Sequence, residues 1–260
     1  MYFRFLCLSF RYPEPGGTAD GGNPISLQLR SLPGGLENMA AHAKRVFDLF
    51  PSGPQLLPEN VLVRTGPVDH ASWNYRPLLG AIQRARFRLA YDLLPEHVGR
   101  LLEIGYGSGV FMPALSEHAD ELLGIDVHDS AGQVEEILAR RGVRAHLSIG
   151  VAERLPFDSG SVDCVVAVSA LEFVGDLSAV CREVVRVLSP GGRFVIVTPR
   201  ESPVVDTGMW ILTGKRAKDD FGDRRARIRP TLAEYFRSLE IKHWPRVGIR
   251  LYDAMALAAA

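Results

Sequence analysis

Cysteine is scarce in this 260-residue chain: Cys7, Cys164 and Cys181 are far apart and no CxxC pair exists. Neither a disulfide framework nor a zinc knuckle can be built from them, and a reducing, cytoplasmic setting is expected. No apolar run reaches the roughly 18 residues that a membrane-spanning helix needs. An excess of either charge is also missing, with 30 Lys and Arg against 30 Asp and Glu. A surface tuned throughout to nucleic acid or to an anionic membrane is therefore not expected, although local patches remain open. The seven histidines show no HExxH spacing. Asp126, His128 and Asp129 lie close in sequence, but a strand end followed by a helix start explains polar residues there, and no metal site is expected. No glycine-rich stretch ends in Lys-Ser/Thr, so a P-loop is excluded.

The first ten residues are apolar but broken by Arg4 and followed by Arg11, without a small-residue cleavage site, and Leu6 before Cys7 does not make a lipoprotein box. From Pro13 to Gly35 the chain is rich in Gly and Pro without periodicity, the composition of a disordered leader. Residues 1–38 are expected to lie outside the folded unit. Residues 39–94 are expected to form an N-terminal helical cap, with one helix over Ala40–Phe50 and a longer one over Pro77–Leu94. The second has Leu78, Ile82, Ala85, Leu89 and Leu93 on one stripe, with Arg84, Arg86 and Arg88 mostly off it.

Beyond Pro95 short apolar runs alternate with helical stretches. Strands are expected at 100–104, 121–125, 143–149, 162–169 and 193–198, and helices at 109–118, 130–141 and 176–188. Such alternation predicts a doubly wound α/β domain, residues 95–260, built on a mostly parallel sheet. After Pro199 a long connection precedes an expected helix at Thr231–Leu239 and two closing strands, at 240–244 and 250–256, which bring the sheet to seven.

The first strand runs into Gly105-Tyr-Gly107-Ser-Gly109. Glycine tolerates positive φ and lets a ligand approach the backbone closely, although a tight strand-to-helix turn alone would also use it. The second strand ends at Asp126, where an open α/β sheet can offer a carboxylate to a ribose diol. The same side chain could cap a following helix, and the two roles are compatible.

Together Glu103-Ile-Gly105-Tyr-Gly107-Ser-Gly109 resembles the first motif of class I S-adenosylmethionine (SAM)-dependent methyltransferases, of the type 11 kind. A dinucleotide fingerprint would space its glycines as GxGxxG. Gly150-Val-Ala-Glu153-Arg-Leu-Pro156-Phe157, then Ser161-Val-Asp163, is similar to the family's loop after the third strand and its entry into the fourth. Leu188-Ser-Pro-Gly-Gly192-Arg-Phe194 resembles its turn into the fifth. The resemblance covers residues 100–198 and implies a Rossmann-like methyltransferase fold with SAM as cofactor. By this resemblance Gly105, Tyr106, Gly107 and Gly109 surround the amino acid moiety, with backbone amides of Gly105 and Gly107 against it and Glu103 orienting its ammonium. Asp126 would accept from the ribose, Val127 would pack on adenine, and Ala152 would offer its N–H to the ring edge. Many relatives have an Asp where this chain has Val151, and Glu153 is the nearby substitute. Ser169 completes the cofactor set.

Methyl transfer from a sulfonium needs alignment and exclusion of water more than acid–base help. After the fourth strand Ser169-Ala-Leu-Glu172-Phe173 replaces the Asn/Asp-Pro-Pro-aromatic tetrapeptide of methylases acting on adenine or amide nitrogen. Glu172 and Phe173 are candidates for contacting the acceptor, and Glu172 could equally be a solvated carboxylate near a helix start. The segment Asp69–Arg76 supplies His70, Trp73 and Tyr75, which with Trp210 could close over a small-molecule acceptor; the alternative is that Trp73 and Tyr75 anchor the helix. His70, Tyr75 and Glu172 are thus the catalytic candidates. Seven basic residues between Lys215 and Arg229 face three acidic ones. They form either a solvated loop or an anion-binding rim, which keeps RNA methylation as an alternative to a small-molecule acceptor. A nicotinamide enzyme is disfavoured by the glycine spacing.

Overall fold

Apolar, β-branched runs become the buried centre of the sheet. In the computed structural model, which describes residues 53–66, 69–77, 79–200 and 224–260, seven strands form one sheet in the order β3-β2-β1-β4-β5-β7-β6. They are β1 (Val98–Ile104), β2 (Ala119–Asp126), β3 (His146–Ile149), β4 (Val162–Val168), β5 (Leu188–Pro199), β6 (Phe236–Trp244) and β7 (Tyr252–Ala259). Neighbours among the first five pair in parallel, and only β7 is reversed, antiparallel to both β5 and β6. The doubly wound, mostly parallel seven-stranded arrangement is the one expected.

Both faces of β5 are covered, and its continuous run Phe194-Val-Ile-Val197 divides between them. Val195 and Val197 join one core with Phe87, Phe111 and Leu138. Phe194 and Ile196 join the other with Val180, Val184, Ile228 and Leu232. The helices are α1 (Leu79–Tyr91), the single turn α2 (Met112–Leu115), α3 (Ala131–Ala139), α4 (Leu177–Val187) and α5 (Arg224–Tyr235). In α4, Val180, Cys181, Val184 and Val187 are buried on one stripe. Its N-cap Asp176 accepts from Ala179 N–H at 2.9 Å, satisfying a donor that the first turn leaves open. Phe87, Leu89 and Ala90 of α1 belong to the same core as β1 and β5, and every described residue falls in the compact unit Phe50–Ala260.

Two expectations are corrected. The helix read at Thr231–Leu239 lies earlier, at Arg224–Tyr235, and residues 236–239 open β6 instead. Ile228 and Leu232 set the buried stripe of α5, while pairing of Phe236 with Ala259 and Ser238 with Leu257 draws the next residues into the sheet. The helix read over 109–118 shrinks to α2 and a 3₁₀ turn at Ser116–His118, because the glycine turn extends to Phe111. Residues 1–38, the helix expected at 40–50, Trp210 and residues 215–223 lie outside the described residues. Among those described, no helix is long and apolar enough to cross a membrane.

Candidate active site

The carboxyl end of β1 delivers the chain into three glycines with φ of 76°, 53° and 72°, at positions 105, 107 and 109. Two of the three are demanded by packing as well as by φ. A Cβ on Gly105 would lie 2.6 Å from the Cβ of Ala170, and one on Gly109 would lie 2.8 Å from Cγ1 of Val134. Gly107 is different, because a Cβ there would meet nothing within 4 Å. The turn therefore leaves open space above its middle glycine, where a ligand can approach bare backbone. Gly105 N–H donates to Ile125 O at 2.8 Å, so its amide continues the strand-to-strand bonding and is not offered to a ligand. The expected contact through that amide is corrected accordingly.

Asp126 closes the turn from β2. Its Oδ2 accepts from Gly107 N–H at 2.8 Å and its Oδ1 from Val127 N–H at 2.7 Å, so the Gly107 amide, like that of Gly105, is engaged within the protein and the expected contact through it is corrected as well. Each carboxylate oxygen retains a second acceptor direction for a hydroxyl. His128, which local sequence explained only as part of a strand-to-helix junction, proves to belong to the same assembly. Ser130 N–H donates to its Nδ1 at 3.1 Å, so Nε2 bears the hydrogen and donates to Gly107 O at 2.9 Å. The Tyr106 ring stands edge-on to His128, with centroids 5.0 Å apart.

Beside Asp126 the surface turns apolar. Val127, Ile149 and Val151 are 71%, 59% and 49% exposed. Ile149 pairs with Asp126 across β2 and β3, and Gly150 N–H donates to Asp126 O at 2.9 Å, so the three follow one another at one sheet end. Ala152, the next expected contact, is buried. Large aliphatic side chains left in water beside a carboxylate suit a flat heteroaromatic ring next to a diol.

Behind the turn sit two buried carboxyl groups. Glu103 is 3% exposed and its Oε2 has no hydrogen-bond partner among the described residues. Burial, reinforced by the charge of Asp126 and opposed by Arg86, pushes its pKa up to about 8. Glu172 is 1% exposed, which excludes the solvated reading. Its Oε1 accepts from Thr198 Oγ1 at 2.7 Å, while Oε2 is buried without a partner. Burial raises its pKa, against the Thr198 hydrogen bond and the charges of Arg86 and Arg225. Arg86 is the residue that links them: desolvation lowers its pKa while Tyr252, Glu172, Asp69 and Glu103 raise it. An arginine off the apolar stripe of α1 gave no local sign of this role. Ser169, at the end of β4, holds a φ of 53° and a buried Oγ without a partner, a strained position of the kind found beside ligands.

Other expected residues have different duties. Glu153 Oε1 accepts from the N–H groups of Gly175 and Asp176, at 2.9 and 3.3 Å, so one of its oxygens ties the loop before α4. The Tyr75 hydroxyl donates to Leu57 O, and burial pushes its pKa up to about 12, which makes it an anchor of the segment before α1 and not a proton acceptor. His70 stacks on Trp73 at 4.0 Å. Phe173 is 44% exposed beside Glu172. Of the basic run, residues 224–229 form the first turns of α5, with Arg225 and Ile228 buried, so they are not a basic loop.

Residues 102–196 match the family model described as a methyltransferase domain. Over those residues the chain is similar to that family, and its seven-stranded, mostly parallel sheet has the Rossmann-like methyltransferase fold. The chain is 36% identical over 115 residues to the methyltransferase YcgJ of Bacillus subtilis, a span that covers 43% of this chain and 45% of that protein. It is 32% identical over 121 residues to the demethylmenaquinone methyltransferase of Roseiflexus castenholzii, covering 45% of this chain and 50% of that one. Matches of this kind span about a quarter to a half of the length of the curated relatives. A solved structure of geranyl diphosphate C-methyltransferase from Streptomyces coelicolor, holding Mg2+, geranyl diphosphate and S-adenosylhomocysteine, shares the fold with a TM-score of 0.56 at 15% identity. That likeness covers 82% of this chain and 92% of that one.

Proposed function

We propose that the chain is a SAM-dependent methyltransferase whose acceptor is a small molecule. The supporting observation is the open space over Gly107, bounded by the Asp126 carboxylate and the exposed apolar side chains of Val127, Ile149 and Val151, with the unpartnered Oε2 of Glu103 behind the turn. This donor and acceptor set fits SAM, which has an ammonium, a ribose diol and an adenine ring. Glu103 would hold the ammonium, Asp126 the diol, and the aliphatic side chains the ring. Bound there, the cofactor supplies a methyl group already activated by its positive sulfur.

The chain's own residues then have limited chemistry to perform. Glu172 lies beyond the carboxyl end of β4, fixed by Thr198, with one oxygen free to orient an acceptor hydroxyl or amine or to take its proton. Arg86 keeps a positive charge among Glu103, Glu172 and Asp69 and so limits the cost of having several acids in one dry site. Buried Tyr252 and the segment before α1 help to exclude water from that region. The reduced, buried thiols of Cys164 and Cys181 suit a cytoplasmic enzyme.

Calorimetry with SAM, S-adenosylhomocysteine and NAD in parallel tests this reading. Binding of the first two with no heat from NAD is expected, and Asp126→Ala should weaken both ligands substantially. NAD binding, or affinity indifferent to Asp126→Ala, would refute the site. RNA as acceptor gains no support from α5, whose basic residues are divided between core and surface.

A further inference from the structure

Next to Glu172 the sheet presents a polar row that methyl transfer itself does not require. Thr198 of β5 pairs with Asp253 of β7, and Asp253 pairs with His243 of β6. Directly paired residues share a sheet face at about 5 Å, so the row starts one step from the candidate acceptor-orienting carboxylate. Asp253 is 3% exposed. His243 Nδ1 donates to its Oδ1 at 2.7 Å, a normal short bond. Arg200 and Arg229 reach the same carboxylate from 3.6 and 3.4 Å. These two contacts are longer than the roughly 2.7–2.9 Å of a saturated charge-assisted bond. Each guanidinium directs one nitrogen at Asp253, and its other nitrogens have no partner among the described residues. The two side chains are 40% and 52% exposed.

Arg200 N–H donates to Leu251 O at 2.9 Å and Leu251 N–H to Trp244 O at 2.7 Å, which draws the turn between β6 and β7, with exposed Arg246 and Arg250, to the same mouth. Two arginines and a histidine thus hold one buried carboxylate, with Arg246 and Arg250 on the exposed turn that follows β6. A planar guanidinium with unused N–H groups is the side chain best shaped for the paired oxygens of a carboxylate or phosphate.

We propose that Arg200 and Arg229, held in place by Asp253, form a subsite for an anionic oxygen-acid group, a carboxylate or a phosphate, on the methyl acceptor. As an acceptor subsite it rests on the methyltransferase reading. Asp253 would orient the two forks while leaving their outer N–H groups for the ligand, and Glu172 would sit at the reacting end of the same molecule.

The test uses the full chain saturated with S-adenosylhomocysteine and titrated separately with inorganic phosphate, octanoate and octanol at constant ionic strength. Millimolar binding of at least one anion and none of octanol is expected. R200Q/R229Q should weaken the anion at least tenfold. Affinity for S-adenosylhomocysteine should stay unchanged throughout. Preference for phosphate or for octanoate tells which acid group the subsite takes. No anion binding, or anion affinity unchanged in R200Q/R229Q, overturns the subsite. Failure of the wild-type chain to bind S-adenosylhomocysteine overturns the methyltransferase reading instead.

Discussion

If Glu103 receives the ammonium of the cofactor, binding must expel a proton. Burial first, then the neighbouring charge of Asp126, pushes the pKa of Glu103 up to about 8, with Arg86 pulling the other way. A carboxyl group with a pKa of about 8 is about 90% protonated at pH 7. A cation against its free oxygen favours the ionised form, so about 0.9 proton should leave per ligand bound at pH 7. Acidification to pH 6 raises the cost of ionisation by about 1.3 kcal/mol, which weakens affinity about ninefold. The ligand ammonium remains charged across that range. Glu103→Gln is neutral at every pH and should show neither effect, which also subtracts the protons exchanged by every other group. Calorimetry of S-adenosylhomocysteine in phosphate and in Tris at pH 7 reads the proton count from the difference in heats. Equal heats in the two buffers, or equal proton release by wild type and Glu103→Gln, would refute the role given to Glu103.

The same raised pKa has a consequence for the free protein. An acid harder to ionise when folded costs stability as pH rises from its unfolded value near 4.5 through about 8. Glu103→Gln should therefore be more stable than wild type without ligand at pH 8, on the order of 4 kcal/mol, and match it near pH 4.5. Gly107→Ala should retain most of its stability, losing about 1–2 kcal/mol to its positive φ, yet bind S-adenosylhomocysteine far more weakly. Gly105→Ala, which drives a methyl group onto Ala170, should lose stability first, a contrast that denaturant titration reads. Tyr75→Phe should cost about 1 kcal/mol of stability by leaving Leu57 O without its donor, at unchanged cofactor affinity. A fall in affinity without a fall in melting temperature would restore the closing role to that tyrosine.

What the sequence disclosed and what it concealed follow a physical division. The Gly105–Gly109 turn and Asp126 were legible because a strand, a turn and a following strand end fix their geometry within a short stretch. The strands were legible because two covered faces require unbroken apolar runs such as Cys164–Val168. Arg86, His128 and Asp253 gave no signal, since what matters in each is a partner brought close by the sheet: Glu103 and Glu172 around Arg86, Gly107 O for His128, two arginines and a histidine for Asp253. Glu153 likewise has partners that its own stretch of sequence does not announce, the N–H groups of Gly175 and Asp176 on one of its oxygens. The shift of the last helix to Arg224–Tyr235 shows long-range pairing with β7 overriding local periodicity.

A crystal structure of the chain with S-adenosylhomocysteine addresses the cofactor site most directly. The account predicts the ribose hydroxyls on the Asp126 carboxylate, the ammonium on Glu103 Oε2, and the adenine against Val127, Ile149 and Val151. Density for the ligand elsewhere, or in this cleft with Asp126 and Glu103 both untouched, would contradict it.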